Sequence, residues 1–129
     1  MFKVIIAGSR SFQNYAVLKE YADYKLSNIQ DEIEIVSGGA KGADALGERY
    51  AKEKGYSLKT FPANWERFGK AAGYMRNVEM AKYADALLAF WDGKSHGTMH
   101  MIQIAYSNDL KVGVKHFENT FSRGDDNDD

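Results

Sequence analysis

Three glycine-bearing loops stand directly after short apolar runs: Gly8-Ser9-Arg10, Ser37-Gly38-Gly39-Ala40-Lys41-Gly42-Ala43-Asp44 and Asp92-Gly93-Lys94-Ser95-His96-Gly97-Thr98. A strand, a glycine turn and a helix in succession make a phosphate cradle, because the first N–H groups of a helix lack partners and its dipole favours an anion there. Gly38, Gly39 and Gly42 carry no side chain that keeps a ligand from the backbone, and the helix after them is predicted to begin near Lys41. Asp44 either caps that helix or accepts hydrogen bonds from a ribose. In the third loop Gly93 and Gly97 allow backbone approach, Ser95 offers a hydroxyl, and Thr98 either does the same or caps the next helix.

A fourth element, Gly69 to Asn77, is cationic: Arg76 has the fork that pairs with phosphate through two bonds, and Lys70 adds a point charge. The alternative for Arg76 is a solvated helix face with an ion pair to Glu79 or Glu66. Trp65 either stacks on a base or closes the edge of the core. His96 and His100 read as hydrogen-bonding surface or core residues, and Met75, Met80, Met99 and Met101 as core packing. There is no Walker A sequence, no complete GxGxxG, no cysteine and no HExxH. These absences argue against an ATPase loop, an ordinary dinucleotide fingerprint and a zinc site, and no cofactor is expected.

The elements that position these loops are legible in the apolar pattern. Runs with strand propensity recur at Lys3–Ala7, Ile33–Ser37, Leu58–Phe61, Ala86–Trp91 and Lys111–Val114, their starts about 25 to 30 residues apart, the length of a βα unit. Between them the period becomes helical: Tyr15, Leu18, Ala22, Leu26 and Ile29 share one face, as do Ala43, Leu46, Tyr50 and Ala51. Val4-Ile5-Ile6-Ala7 and Ala86-Leu87-Leu88-Ala89-Phe90 are apolar on both faces, as central parallel strands are. The expectation is an α/β, Rossmann-like domain: a five-stranded parallel sheet of order 3-2-1-4-5 with helices on both faces. Strands one and four then flank the point where the order reverses. Pro62 opens the longest connection, running to about Ala71.

With 129 residues, 44% apolar and 27% charged, the chain fits one domain, assigned to residues 2–116, and no apolar stretch approaches the roughly 20 residues of a spanning helix. A strand starting at Phe2 and the lack of cysteine predict a cytoplasmic protein. The net charge of −1 hides an asymmetry, since Ser122 to Asp129 carry four Asp against one Arg, which leaves +2 on the rest. Residues 117–129 are expected to form a flexible acidic tail. The mildly positive remainder suits a small anion better than nucleic acid.

The motifs resemble a known family. Gly8-Ser9-Arg10-Ser11-Phe12, Ser37 to Asp44, Gly69-Lys70 through Arg76-Asn77, and Ala84-Asp85-Ala86 leading to Gly97-Thr98 are similar, in order, to the YspA-like branch of the SLOG superfamily, from Phe2 to about Val114. The resemblance implies a Rossmann-like fold and a pocket for nucleotide-derived ligands, with NAD and ADP-ribose relatives proposed for this branch. Other members include LOG-type phosphoribohydrolases, which cleave the N-glycosidic bond of nucleoside monophosphates, DprA proteins, which bind single-stranded DNA, and sensor domains of antiphage systems. The LOG arginine before the fourth strand is matched by Arg76, with Met80 and Asp85 in similar register. The position of the LOG catalytic glutamate, three after the threonine, is Met101 here. Methionine neither stabilises an oxocarbenium-like centre nor moves a proton.

The combined expectation is a binder of a phosphorylated nucleoside, such as an ADP-ribose, NAD-derived or cyclic nucleotide signal, that senses, stores or sequesters it. A phage protein acting as a sponge for a host defence signal is one version. Gly8, Ser9, Ser37, Gly38, Gly39, Gly42, Asn77, Asp92, Gly93, Ser95, Gly97 and Thr98 would build the cradle around Arg10, Lys70 and Arg76. An alternative is a nucleotide N-glycosidase or phosphohydrolase using Asp44 with Arg76, or Asp92 or Glu79. A second is single-stranded nucleic acid binding through Arg10, Lys41, Lys70 and Arg76, against which the near-neutral body counts. Because related LOG-type proteins are dimers, the resemblance also implies a homodimer.

Overall fold

The computed structural model of the protein describes residues 1–118; the expected tail therefore lies, from residue 119 on, outside the described residues. Strands β1 (Phe2–Gly8), β2 (Ile33–Ser37), β3 (Ser57–Thr60), β4 (Ala86–Trp91) and β5 (Lys111–His116) alternate with helices α1 (Tyr15–Leu26), α2 (Ala43–Lys54), α4 (Ala72–Tyr83) and α5 (His96–Ser107). The strands form one parallel sheet of order β3-β2-β1-β4-β5, as the apolar pattern and the crossover rule predict.

Alternation along β1 divides the core in two. Val4 and Ile6 join Leu18, Ala22, Tyr50, Leu88 and Phe90 under α1 and α2. Ile5 and Ala7 point the other way, with Val36, Leu87 and Ala89, and meet Met80, Met101 and Ala105 of α4 and α5. Residues i and i+1 of a strand face opposite sides of the sheet, so an apolar run can only be buried by helices on both sides.

Several boundaries differ from the sequence reading. The second helix starts at Ala43 and not near Lys41, because Gly42 occupies the N-cap position with a φ of 74° and Lys41 lies in the turn before it. α1 stops at Leu26, where Ser27 caps it; Ile29, one turn further, still packs on the same core from the connecting segment. The connection after Pro62 is not irregular throughout. Asn64 accepts a hydrogen bond from the Arg67 N–H (3.1 Å), which starts a one-turn helix α3 (Trp65–Phe68), and a 3-10 turn at Gly69–Ala71 leads into α4.

Tyr50 joins the two helices on the first face. Its ring is fully buried, and its hydroxyl donates to Asp23 Oδ1 on α1 at 2.6 Å, with Lys54 Nζ 3.2 Å from the same oxygen. The Tyr50 hydrogen bond, followed by Lys54, holds Asp23 below the usual carboxylate range, while burial and the adjacent carboxylate push the Tyr50 phenol up. Tyr50→Phe is expected to lower stability by about 1 kcal/mol at neutral pH. A depressed carboxylate contributes stability above its unfolded pKa of about 4 and loses it as the pH falls through its folded value. Urea unfolding at about pH 7 and about pH 3 should therefore show the deficit of the variant shrinking in acid.

Candidate functional site

The carboxyl ends of β1, β2 and β4 open onto one cleft of about 920 Å³, in the range of clefts that hold nucleotide-sized ligands. This is the point where the strand order reverses, with β1 hydrogen-bonded to β4 on one side and to β2 on the other. Gly8 and Arg10 contribute from the first loop, Gly38, Gly39 and Asp44 from the second, and Gly97 and Thr98 from the third. The segment after β3 closes the opposite wall with Trp65 and Lys70, and α4 adds Arg76 and Asn77.

Six predicted residues are absent from the lining and work behind it. Ser9 is fully buried, and its hydroxyl shares a 2.7 Å hydrogen bond with the buried hydroxyl of Ser95, which ties the first loop to the third. Asp92 Oδ1 accepts from the Lys94 N–H (2.8 Å), the Ser95 N–H (2.9 Å) and the Ser95 hydroxyl (2.9 Å), turning the chain through Gly93 into α5. Partial burial pulls the other way, yet the Ser95 and Lys94 N–H groups hold the Asp92 carboxyl below its ordinary range. Ser37 Oγ donates to Glu48 Oε2 (2.8 Å) and accepts from the Gly39 N–H (3.1 Å). Gly42 lies under the first loop, where the Ala43 N–H donates to Ser9 O at 3.3 Å. Phe12, stacked on Phe90 at 5.0 Å, anchors the segment that carries Arg10.

Asp44 is not the cap of α2, since Gly42 holds that position; its Oδ2 reaches back to the Ala40 N–H at 3.2 Å and folds the second loop over the helix start. Thr98 is likewise not a cap, because Ser95 precedes α5 and Thr98 sits buried three residues later in its first turn. Trp65 does not close the core edge: it is 59% exposed, on the rim of the cleft. Arg76 forms no ion pair with Glu66 or Glu79 among the described residues. Its guanidinium turns inward, Nη1 donating to Gly38 O at 2.5 Å and Nε to Asn77 Oδ1 at 3.1 Å.

That reach depends on Gly38. A Cβ there would lie 2.6 Å from Arg76 Nη1 and 2.9 Å from Asp44 Oδ2, so any other residue would displace the ends of these two side chains from where they now sit.

The sequence reading missed part of the lining. Met80 and Met101 are core residues, as expected, but they also face the cleft, whereas Met75 and Met99 are 41% and 38% exposed and are not core packing. Helical geometry explains the difference, because a residue next in sequence is rotated by about 100° and leaves the buried face. Gly73, Arg76, Asn77 and Met80, spaced i, i+3, i+4, i+7, form the cleft stripe of α4, and that spacing is visible in the sequence. Thr60 at the end of β3, Pro62 and Ala63 just after it, and Tyr74 on α4 also line the cleft, and the sequence reading singled out none of them for the site. Asp44 is the single carboxylate among the described lining residues. Among the described residues, no three His, Cys, Asp or Glu side chains gather closely enough to hold a metal ion, and no helix is long and apolar enough to cross a membrane.

Comparison with known proteins agrees with this architecture. A protein named Gene 61 protein, from Mycobacterium phage D29, is 34% identical over 118 residues, covering 87% of this chain and 94% of that one. Among solved structures, DNA processing protein A (DprA) from Streptococcus pneumoniae superposes with a TM-score of 0.72 at 16% identity, over 94% of this chain and 52% of DprA, so the chain spans about half of that protein. TM1055 superposes with a TM-score of 0.64 at 19% identity, over 87% of this chain and 72% of its own. Identities this low speak for the fold alone. The model of the YspA, cpYpsA-related SLOG family matches residues 2–68, which include the first two glycine loops, and with them the chain belongs to that family.

Proposed function

We propose that the chain binds a phosphorylated nucleoside ligand, of the ADP-ribose, NAD-derived or cyclic nucleotide class, and holds it without cleaving it. The observation that carries this reading is the convergence of Arg10, Lys70 and Arg76 with the starts of α2 and α5 on one cleft. Cationic side chains and helix N-termini neutralise phosphate together, and the apolar surfaces of Met80, Met101 and Trp65 suit a base. In this reading Asp44, which lines the same cleft, accepts from a ribose hydroxyl.

Binding is favoured over hydrolysis by the shortage of acid–base groups. Asp44 is 5% exposed and already accepts from Ala40, and Met101 occupies the position where the LOG resemblance expects a glutamate. The phage relative supports sequestration of a host signal as one version of the role.

Titration calorimetry with ADP-ribose, NAD, cyclic ADP-ribose isomers and cyclic dinucleotides is expected to show saturable binding of at least one, recovered unchanged after the protein is denatured. No heat with any of them overturns the proposal. Conversion that disappears in Asp44→Asn replaces it with the enzyme reading.

A further inference from the structure

Arg76 is aimed by a short relay that ends on a histidine outside the lining of the cleft. Arg76 Nε can only donate, so the Asn77 atom that faces it at 3.1 Å is the amide oxygen. The orientation of the whole amide follows. Asn77 Nδ2 must then face Gly97 O at 3.4 Å and His100 Nδ1 at 3.2 Å. A donor facing Nδ1 requires a lone pair there, so His100 is neutral with its proton on Nε2.

The surroundings favour that state. From α4, His100 meets Asn77 and the ring of Tyr74, centroid to centroid 4.5 Å, with the Arg76 guanidinium beyond Asn77. On its own helix His96 lies one turn earlier. From the sheet, α5 meets Ile5, Leu87, Ala89, Val112 and Val114, none of them titratable, and Tyr83 of α4 packs on the same cluster. Burial alone pulls the His100 imidazole below its usual range.

We propose that His100 is a positioning residue for Arg76: its unprotonated Nδ1 fixes the Asn77 amide, and the amide oxygen holds the guanidinium toward Gly38 and the cleft. His100 acts through Asn77 and touches no ligand itself. Protonation sets N–H against N–H, the amide must turn, and its turned face offers Arg76 Nε a second donor in place of an acceptor. The arrangement is complete while His100 is neutral and is lost as the pH falls through its lowered pKa.

The test uses the full, ligand-free, isotope-labelled chain. Long-range proton–nitrogen correlation spectra are expected to show His100 with its proton on Nε2. The Arg76 Nε–H signal, assigned by its loss in Arg76→Lys, should exchange with water about tenfold more slowly than that of exposed Arg67, the effect of roughly one net hydrogen bond. That protection should vanish in His100→Ala, and in the wild type once His100 is protonated. It should persist at both pH values in His100→Asn, whose side-chain oxygen replaces Nδ1 without titrating. A proton on Nδ1 in the neutral wild type, or Arg76 exchange unmoved by His100→Ala, overturns the proposal; should that variant not fold, the wild-type tautomer and pH series decide alone. A second arm, which rests on the proposed nucleotide reading, titrates ADP-ribose: binding should weaken about tenfold in His100→Ala and return in His100→Asn. The spectroscopic signature without ADP-ribose binding supports the relay and counts against that ligand alone.

Discussion

Replacing Arg76 with alanine is expected to weaken binding of the tightest ligand in the nucleotide panel by about 100-fold or more, with the fold intact. The guanidinium is half-buried in the cleft wall, where phosphate contact is screened less than at the surface. Nη1 is held on Gly38 O and Nε on Asn77 Oδ1, so the fork is preorganised before ligand arrives. The second nitrogen, Nη2, lies beside Gly73, where even an added Cβ would remain 3.8 Å away, so α4 leaves it room to approach an anion. Without Arg76 the phosphate would keep Arg10, Lys70 and the helix N-termini but lose the preorganised fork. Arg76→Lys restores the charge but not the planar fork, and should recover only about tenfold of the loss. Removing the bond to Gly38 O should change stability by about 1 kcal/mol, which thermal unfolding can separate from the binding defect. Affinity unchanged in Arg76→Ala would sink the assignment of the phosphate seat.

The largest stability effect is expected at Gly42. A Cβ there would lie 2.5 Å from both Ser9 O and Arg10 O, and the residue has a φ of 74°. Backbone carbonyls do not swing aside as side-chain ends do, so Gly42→Ala must push the loop after β1 away from the start of α2. Steric overlap added to the strain of a backbone with φ 74° and ψ −126°, which L-residues rarely adopt, should lower stability by about 3 kcal/mol or more. Gly55→Ala is the control: its φ is 73°, but nothing lies within 4 Å of the added carbon. It should lose only the strain, about 1 kcal/mol. Urea unfolding of the two variants measures the contact together with the added strain at Gly42, whose ψ of −126° lies outside the left-handed helical well that Gly55 occupies with a ψ of 23°, and equal losses would refute it. Because the Ala43 N–H donates to Ser9 O across the same junction, Gly42→Ala should also spread two of the loops that form the cleft and weaken nucleotide binding.

The fold was readable because its causes are local. Val4 to Ala7 and Ala86 to Phe90 are apolar at successive positions, which only a strand covered on both faces accommodates, and helical spacing fills the intervals between strands. Chirality narrowed the choice, since right-handed crossovers leave few strand orders, and the order found adds to it a reversal after the third strand. Boundaries slipped where a single residue's backbone decides them, as at Gly42, or where a short capped helix interrupts a connection, as at Asn64. The site was readable in kind and less so in role. Glycine after a strand marks a loop that can approach a ligand, but serine and aspartate in such a loop can equally hold the loop itself. Ser9, Ser37, Asp92 and Ser95 do the latter, each bonded to protein groups.

By itself, then, the sequence determined the alternating strands and helices and the three glycine loops, set by periodicity and glycine placement, whereas the reversal between the first and fourth strands is fixed by how the strands pair in the sheet. Only the tertiary structure decided that Arg76 turns inward to Gly38, 38 residues away, instead of pairing along its own helix. It also decided that Asn77 meets His100 across two helices, 23 residues apart. Such contacts depend on how packed helices are rotated and seated against the sheet, which the spacing of residues within any one segment does not contain.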